Sequence, residues 1–480
     1  MRKSVHEIDM CSGAILPKLI IFAIPLVLTG ILQLLFNAAD MVVVGKFGSP
    51  NSLAAVGSTG ALVNLIVNLF IGLSTGANAV IARHYGAKNF ESVRKSVHTA
   101  IFLSIVSGFA IMILGIAFSR PMLIIMGAPT DVIDLSVLYL KIYFIGAPFN
   151  MFYNFGSAIL RAIGDTKRPM IYISIAGVIN VVLNLIFVIV FGLDVAGVAI
   201  ATVISQAVSA LFLFVALVKQ EGAVRLFPRE IKLHTTELLQ IIRIGIPGGI
   251  QSCVFSLSNV VIQSSINYLG TTVMSASAAA ANIEGFVYIG INAFFNATLS
   301  FVSQNFGRHD FPRIKKIIFG AVGLVTVYCV IMGIAVNFFA QVLLGLYMSN
   351  ELLPSQVNDY MMYGAQRLAI VAFLYFICGI MDVIVGALRG FGKSLVPMIS
   401  SLCGVCGIRL VWIFTVFERC KDMQTANLFG FELSPLQVLL VSYPISWTVT
   451  ALIHTTVLIF TYRKNKKQMQ RIDDIKVVRI

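Results

Sequence analysis

The stretch LRAIGDTKRPM, Leu160–Met170, returns in outline 228 positions later as LRGFGKSLVPM, Leu388–Met398. Leu, Arg, Gly, Pro and Met recur at identical internal spacing. The echo widens on both sides. Pro25, Asn37 and Gly48 match Pro247, Asn259 and Gly270 at an offset of 222, and Gly86, Phe90, Arg94 and Lys95 match Gly307, Phe311, Lys315 and Lys316 at 221. An offset that drifts by a few residues is what loop insertions leave in a duplicated chain. The sequence therefore reads as two copies of one unit.

The solvent of that unit follows from composition. Of the 480 residues only 12% are charged, against roughly 25% in a soluble globule, and the mean hydropathy is +0.91. A chain this apolar calls for a bilayer. Twelve apolar segments are predicted as spans, at 18–45, 52–81, 97–119, 132–160, 170–192, 196–218, 240–268, 280–304, 316–346, 361–388, 396–417 and 435–461. Each reaches the roughly 20 residues a membrane helix needs. None shows the ~10-residue alternation of a barrel strand.

The fold class is thus all-α integral membrane, with twelve transmembrane helices in two pseudo-symmetric six-helix lobes. The expected division is an N-lobe at 1–218 (spans 1–6), a cytoplasmic connection at 219–239, a C-lobe at 240–462 (spans 7–12), and a basic cytoplasmic tail at 463–480. Six spans per half preserve orientation, so the copies are parallel repeats related by an axis along the membrane normal. The repeated phrase is then a connection between helices. Arg161 and Arg389 anchor helix ends, Gly164 and Gly392 permit the turn, and Pro169 and Pro397 open the next helix. Two facing bundles of similar energy meet the requirement for alternating access.

The formal charge of +14 invites a nucleic-acid reading, but its distribution argues against one. If alternate connections are cytoplasmic, starting with the N-terminus, they hold about 28 of the 35 Lys and Arg, and the opposite loops about 4. Topology explains the charge. Both termini are expected inside a bacterial plasma membrane, with membrane lipid as surroundings, no nucleic acid, and a monomer.

Several motifs are discounted on context. Ala387–Ser394, ALRGFGKS, resembles a P-loop but follows an apolar helix instead of a strand. Gly72–Gly76, GLSTG, resembles a nucleophile elbow but lies inside a span, where small residues let helices approach closely. Cys403 and Cys406 form a lone C-x-x-C in an apolar segment. No cofactor, nucleotide site or enzyme is expected.

The informative residues are the ones a bilayer disfavours. Asp40 lies near the end of span 1, Asp382 in span 10, and Glu284 at the start of span 8, where the helix dipole favours an acid. Asp382 has Arg389 as a potential partner. Lys141, Arg367 and Arg409 fall in or near spans and can snorkel or pair with a carboxylate. Asn180 and Asn184 share a face of span 5 at i, i+4 spacing, and Thr202 lies on span 6. Their oxygens suit a hard cation such as Na+ or a proton relay; plain helix–helix hydrogen bonding is the bland alternative.

These residues, with the repeated phrases and the segments GLDVAGVAIATVISQ and SYPISW, give the chain its likeness: it resembles the multidrug and toxic compound extrusion family, the MATE transporters, over nearly its whole length. The resemblance implies two six-helix lobes around a V-shaped cleft and export of organic cations or other amphiphiles in antiport with H+ or Na+. It also implies a cation-coupling site on spans 1, 5 and 6, its aspartate matching Asp40 and its polar partners Asn180 and Thr202. A further family aspartate is replaced by Asn184, which removes a charge. One branch uses C-lobe carboxylates on spans 7 and 10. Here span 7 has no acid between Arg243 and Gly270, so Asp382, Glu284 and Arg409 stand as secondary candidates. Na+ would sit at Asp40, Asn180 and Thr202, with Pro25 as a hinge. The alternative is a lipid-linked saccharide or lipid flippase, expected to show fourteen spans and several intramembrane arginines.

Overall fold

The computed structural model describes residues 7–49, 51–348, 354–428 and 430–478. Its helices run α1 Ile15–Phe47, α2 Ser52–Gly86, α3 Phe90–Ile125, α4 Ile133–Ile145, α5 Ala147–Ala162, α6 Lys167–Leu185, α7 Asp194–Lys219, α8 Thr235–Tyr268, α9 Thr271–Gly307 and α10 Phe311–Phe338. They continue as α11 Ala340–Gly345, α12 Pro354–Arg367, α13 Tyr375–Gly390, α14 Leu395–Ser401, α15 Ile408–Trp412, α16 Glu418–Cys420 and α17 Pro435–Val478. Among the described residues, eleven helices are long and apolar enough to cross a membrane, or twelve if α4 and α5 count as one bent span. The protein is a multi-pass, all-α membrane protein. A two-stranded hairpin, β1 Ala426–Leu428 with β2 Phe431–Leu433, pairs Ala426 with Leu433.

Two predicted spans need correction, and a third carries an internal π-turn. Span 4 is not one rod: α4 and α5 meet at 47°. Pro148 lies second in α5; it lacks an N–H, and its ring clashes with the carbonyl four residues back in any continuous helix. Span 8 begins nine residues earlier than read, so Glu284 lies well inside α9 and not in a first turn. Span 10 is α12 and α13 joined through a π-turn at Leu368–Ala372.

The repeat is visible in local backbone. Gly164 and Gly392 of the twin phrases both have positive φ, 95° and 79°. At Gly164 a Cβ would stand 2.4 Å from the Ile8 carbonyl oxygen, so only glycine fits. Lys88 and His309 are a second matched pair, both left-handed without being glycine, at φ 56° and 64°. Asn89 and Asp310 then cap α3 and α10, each accepting from a backbone N–H three residues on. Span 5 contains a π-turn at Ile186–Val190, and span 11 has one at Ile413–Phe417, 227 positions later.

The chain divides into two compact units. One holds the residues up to Gly13 with Ile24–Gly249; the other holds Ala14–Ala23 with the residues from Ile250 onward. In the first, Val43 and Val44 of α1 pack with Val56 of α2, Tyr139 of α4, and Val195 and Val198 of α7. A second cluster joins Ile111 and Leu123 of α3 to Leu140, Phe144 and Met151. In the second unit, Leu299, Phe301 and Val302 of α9 and Leu388 of α13 are fully buried, and Phe22 meets Phe301 edge-on at 5.6 Å.

Gly72 and Gly76 of GLSTG serve the close approach read from the sequence. A Cβ on Gly72 would come within 2.3 Å of the Gly249 nitrogen, and one on Gly249 within 2.2 Å of the Leu69 carbonyl oxygen. Backbone cannot yield as a side chain can. Gly249→Ala is therefore expected to lower stability by the ~1–3 kcal/mol typical of overpacking. Gly285→Ala, facing open space, is expected to leave it unchanged. Thermal melts followed by size-exclusion chromatography compare the two, and equal melts would refute the contact.

Candidate functional site

Span 1 carries Gln33, Asn37 and Asp40 on one stripe, i, i+4 and i+7, in a largely apolar helix. The stripe lines a cavity of about 260 Å³ inside the first unit, walled also by α4, α5, α6 and α7. Gly177 lets α1 come close to α6: the Phe36 ring lies where a Cβ would be, 1.7 Å from that position. Just past the C-terminal end of α1, Ser49 Oγ donates to Asp194 Oδ2 at 2.7 Å, which ties this end to the start of α7.

The four residues singled out for cation coupling come together. Asn184 donates through Nδ2 to Asp40 Oδ1 and to Asn180 Oδ1 at 3.3 Å. Asn180 Nδ2 donates to Thr202 Oγ1 at 3.4 Å, and the Thr202 hydroxyl donates to the Val198 carbonyl at 2.9 Å. Every donor points away from Asn184 Oδ1, which is buried with no hydrogen-bond partner. Asp40 is nine-tenths buried, faces the cavity, and is paired with no basic side chain among the described residues. A carboxylate beside an orphaned amide oxygen, an amide and a hydroxyl is a hard-oxygen donor set that suits Na+ or a proton. Pro25 is buried within α1, fifteen residues before Asp40, where its carbonyl accepts from Thr29 Oγ1 at 2.7 Å.

Sequence reasoning missed Tyr139 and Tyr143 of α4, which stack at 6.1 Å and line the same cavity. Gln206 of α7 and Asn150 of α5 line it as well. The stripe Thr202, Gln206 and Ser209 on α7 was legible at i, i+4, i+7. The tyrosines were not, because 11% of the chain is aromatic.

The secondary candidates lie in the other unit and do not join this site. Asp382 accepts from the Tyr288 hydroxyl at 3.3 Å. Its expected partner Arg389 donates instead to Gln251 Oε1 at 2.8 Å and lies over the Phe295 ring. Glu284 forms a two-pronged ion pair with Arg367, at 2.9 and 3.0 Å, both side chains buried. Arg409 donates to Ser446 Oγ at 3.0 Å and sits over Tyr443. Lys141 is exposed on α4.

Comparisons with known proteins agree with this architecture. The MatE family model matches residues 25–186 and 247–415, once in each half. A Bacillus subtilis (strain 168) protein named "Probable multidrug resistance protein YoeA" is 27% identical over 409 residues, covering 84% of this chain and 87% of the relative. A Shewanella oneidensis protein named "FAD transporter" is 23% identical, covering 78% and 82%. A solved structure described as the outward-facing conformation of a multidrug resistance MATE family transporter superposes with a TM-score of 0.85 at 23% identity, over 97% of this chain and 100% of that one, which establishes the fold. With a family model matched in both copies of a duplicated membrane protein, the chain belongs to the MatE family, whose members are transporters and not enzymes.

Proposed function

We propose that the chain is a secondary active carrier that exports organic cations and other amphiphiles in exchange for H+ or Na+. The observation that carries this reading is Asp40: a buried carboxylate on a cavity, without a basic partner, beside an oxygen that nothing satisfies. In an outward-open state Asp40 takes a proton or sodium ion, helped by Asn180, Asn184 and Thr202. In an inward-open state it releases that ion. Uptake removes the charge that would attract a cationic drug, so the two passengers compete through one carboxylate. Pro25 supplies a point where α1 can bend as that charge changes. The N-lobe, cytoplasmic connection, C-lobe and basic tail keep the proposed boundaries of 1–218, 219–239, 240–462 and 463–480, with both termini inside by the distribution of Lys and Arg.

The relatives' names span drugs and a flavin nucleotide, so kinship alone does not fix the cargo; the acidic cavity is what favours cations. Of the two marks of the flippase alternative, the span number does not match, since the described residues hold eleven or twelve and not fourteen, while buried arginines are present as Arg367, Arg389 and Arg409. The test is uptake of a fluorescent organic cation into proteoliposomes under an imposed sodium gradient and, separately, an imposed pH gradient. One gradient is expected to drive accumulation above equilibrium. If neither does, the exchange reading fails.

A further inference from the structure

The connection between the two halves is not a loose tether. Over 220–234 it folds back on the N-terminal end of α3. The Leu226 N–H donates to the Leu217 carbonyl at 3.0 Å, and Val224 and Leu226 are buried. Arg94 Nη2 reaches both carboxylate oxygens of Glu230. The His234 N–H donates to Thr99 Oγ1 at 3.2 Å, one residue before α8 begins. Between these ties, the Phe227 N–H donates to His98 Nε2 at 3.2 Å, and the two rings lie nearly parallel, at 12°.

His98 is 1% exposed, and its partners fix its charge. Nδ1 faces the Arg94 carbonyl at 2.7 Å, which can only accept, so Nδ1 carries the hydrogen. Nε2 faces an N–H, which can only donate, so Nε2 keeps its lone pair. The ring is therefore neutral while the connection is docked. A second proton would set N–H against N–H at Nε2. It would also add to a positive neighbourhood. The guanidinium carbons of Arg94 and Arg225 lie 4.7 and 5.0 Å from the Phe227 ring centroid. Arg83 and His84 lie in the last turn of α2 and Arg161 in that of α5, and both helices pack on α3. The acids on this face are engaged: Glu230 by Arg94 and Glu91 by Lys95, with Glu237 of α8 beside Lys95 and His84. His234 contacts Thr99, and Arg229 and Lys232 of the connection are exposed.

The second half has no such ring. At the offset of 221 that matches Arg94 and Lys95 to Lys315 and Lys316, His98 falls on Phe319, which is 69% exposed. A buried imidazole is no requirement of the repeat; it stands in the copy that the connection follows. We propose that His98 is a proton-operated clasp. Neutral, it holds the connection on α3; protonated, it releases the connection and frees the start of α8. Acid on the side where the connection lies is then a signal to the transport cycle. The inference rests on the carrier reading, and on a cytoplasmic connection, only for what release regulates. The clasp is measured in detergent without a gradient, so a failed exchange assay and a failed clasp are separate results.

The full-length protein is followed by amide hydrogen–deuterium exchange at about pH 7.5 and about pH 5.5, which bracket the ordinary titration of an imidazole. Each rate is divided by the intrinsic rate at its pH. Peptides over 223–234 are expected to exchange about tenfold faster or more at the lower pH, as the loss of a buried hydrogen bond implies, while peptides from the middle of α3 hold their protection. His98→Gln, whose amide has a donor and an acceptor but does not titrate, should show the same protection at both pH values. His234→Gln should keep the parent's loss. Equal protection of the parent at both pH values, a loss that persists in H98Q, or one that disappears in H234Q would overturn the proposal. Should H98Q not purify as a monodisperse protein, exchange of the imidazole C2–H in the parent decides, because it follows the protonation of each ring. His98 must titrate together with the loss of protection; a ring that stays neutral through it rules the clasp out.

Discussion

Replacing Asp40 with Asn is expected to uncouple export from its ion gradient. The substitution keeps the shape of the side chain and its ability to accept from Asn184 but removes the one negative charge on the cavity wall. In the unmodified protein, Na+ or low pH should weaken binding of a cationic dye by a coupling factor of about 5–150. In D40N that factor should fall to one, and accumulation in energised proteoliposomes should drop to the level of empty vesicles. Thr202→Ala should be milder, since it deletes one hydroxyl at the far end of the chain of amides. Dye affinity measured with and without the coupling ion, alongside uptake, separates the two variants. Undiminished gradient-driven uptake by D40N would remove Asp40 from the mechanism.

The second large effect is expected at the Glu284–Arg367 pair. Both groups are buried and bonded in two-pronged geometry between α9 and α12. Glu284→Gln leaves a guanidinium inside the bundle opposite a neutral amide. Removing one partner of a buried pair destabilises by about 3–5 kcal/mol, whereas removing both is often neutral. The single variant should melt well below the parent in detergent, and E284Q/R367Q should recover most of the loss. If the double variant melts no higher than E284Q, the pair is not an isolated electrostatic unit, and its neighbours Tyr375 and Tyr443 must depend on it.

Much of this was legible because a bilayer makes polar residues conspicuous. Asp40, Asn180, Asn184 and Thr202 stood out as polar groups in apolar runs, and the i, i+4 spacing placed Asn180 and Asn184 on one face. The duplication gave the architecture, since the twin phrases turn at glycines with the same sign of φ. Glu284 was misplaced for a physical reason. The segment from Thr271 to Asn282, TTVMSASAAAAN, is rich in small and hydroxylated residues and reads as a loop. In the fold it is helix, and Ala276, Ala279 and Ala280 are buried where small side chains allow close packing. The bend at Pro148 was written in the sequence but outweighed by the apolar run around it. The pairing of Arg389 with Gln251 in place of Asp382 was not legible: which partner a long side chain reaches depends on helix rotation, which hydropathy does not encode.

Asn184, where the resembled family often carries a second acid, has an energetic corollary. A carrier that trades through Asp40 alone moves one monovalent ion inward for each singly charged drug outward. Such a swap is electroneutral, so the membrane voltage, worth about 2.3 kcal/mol per charge per 100 mV, contributes nothing. On the proposed exchange, each tenfold ion gradient would support at most a tenfold drug gradient, and the missing carboxylate would set the ceiling on how steeply the cell can be cleared.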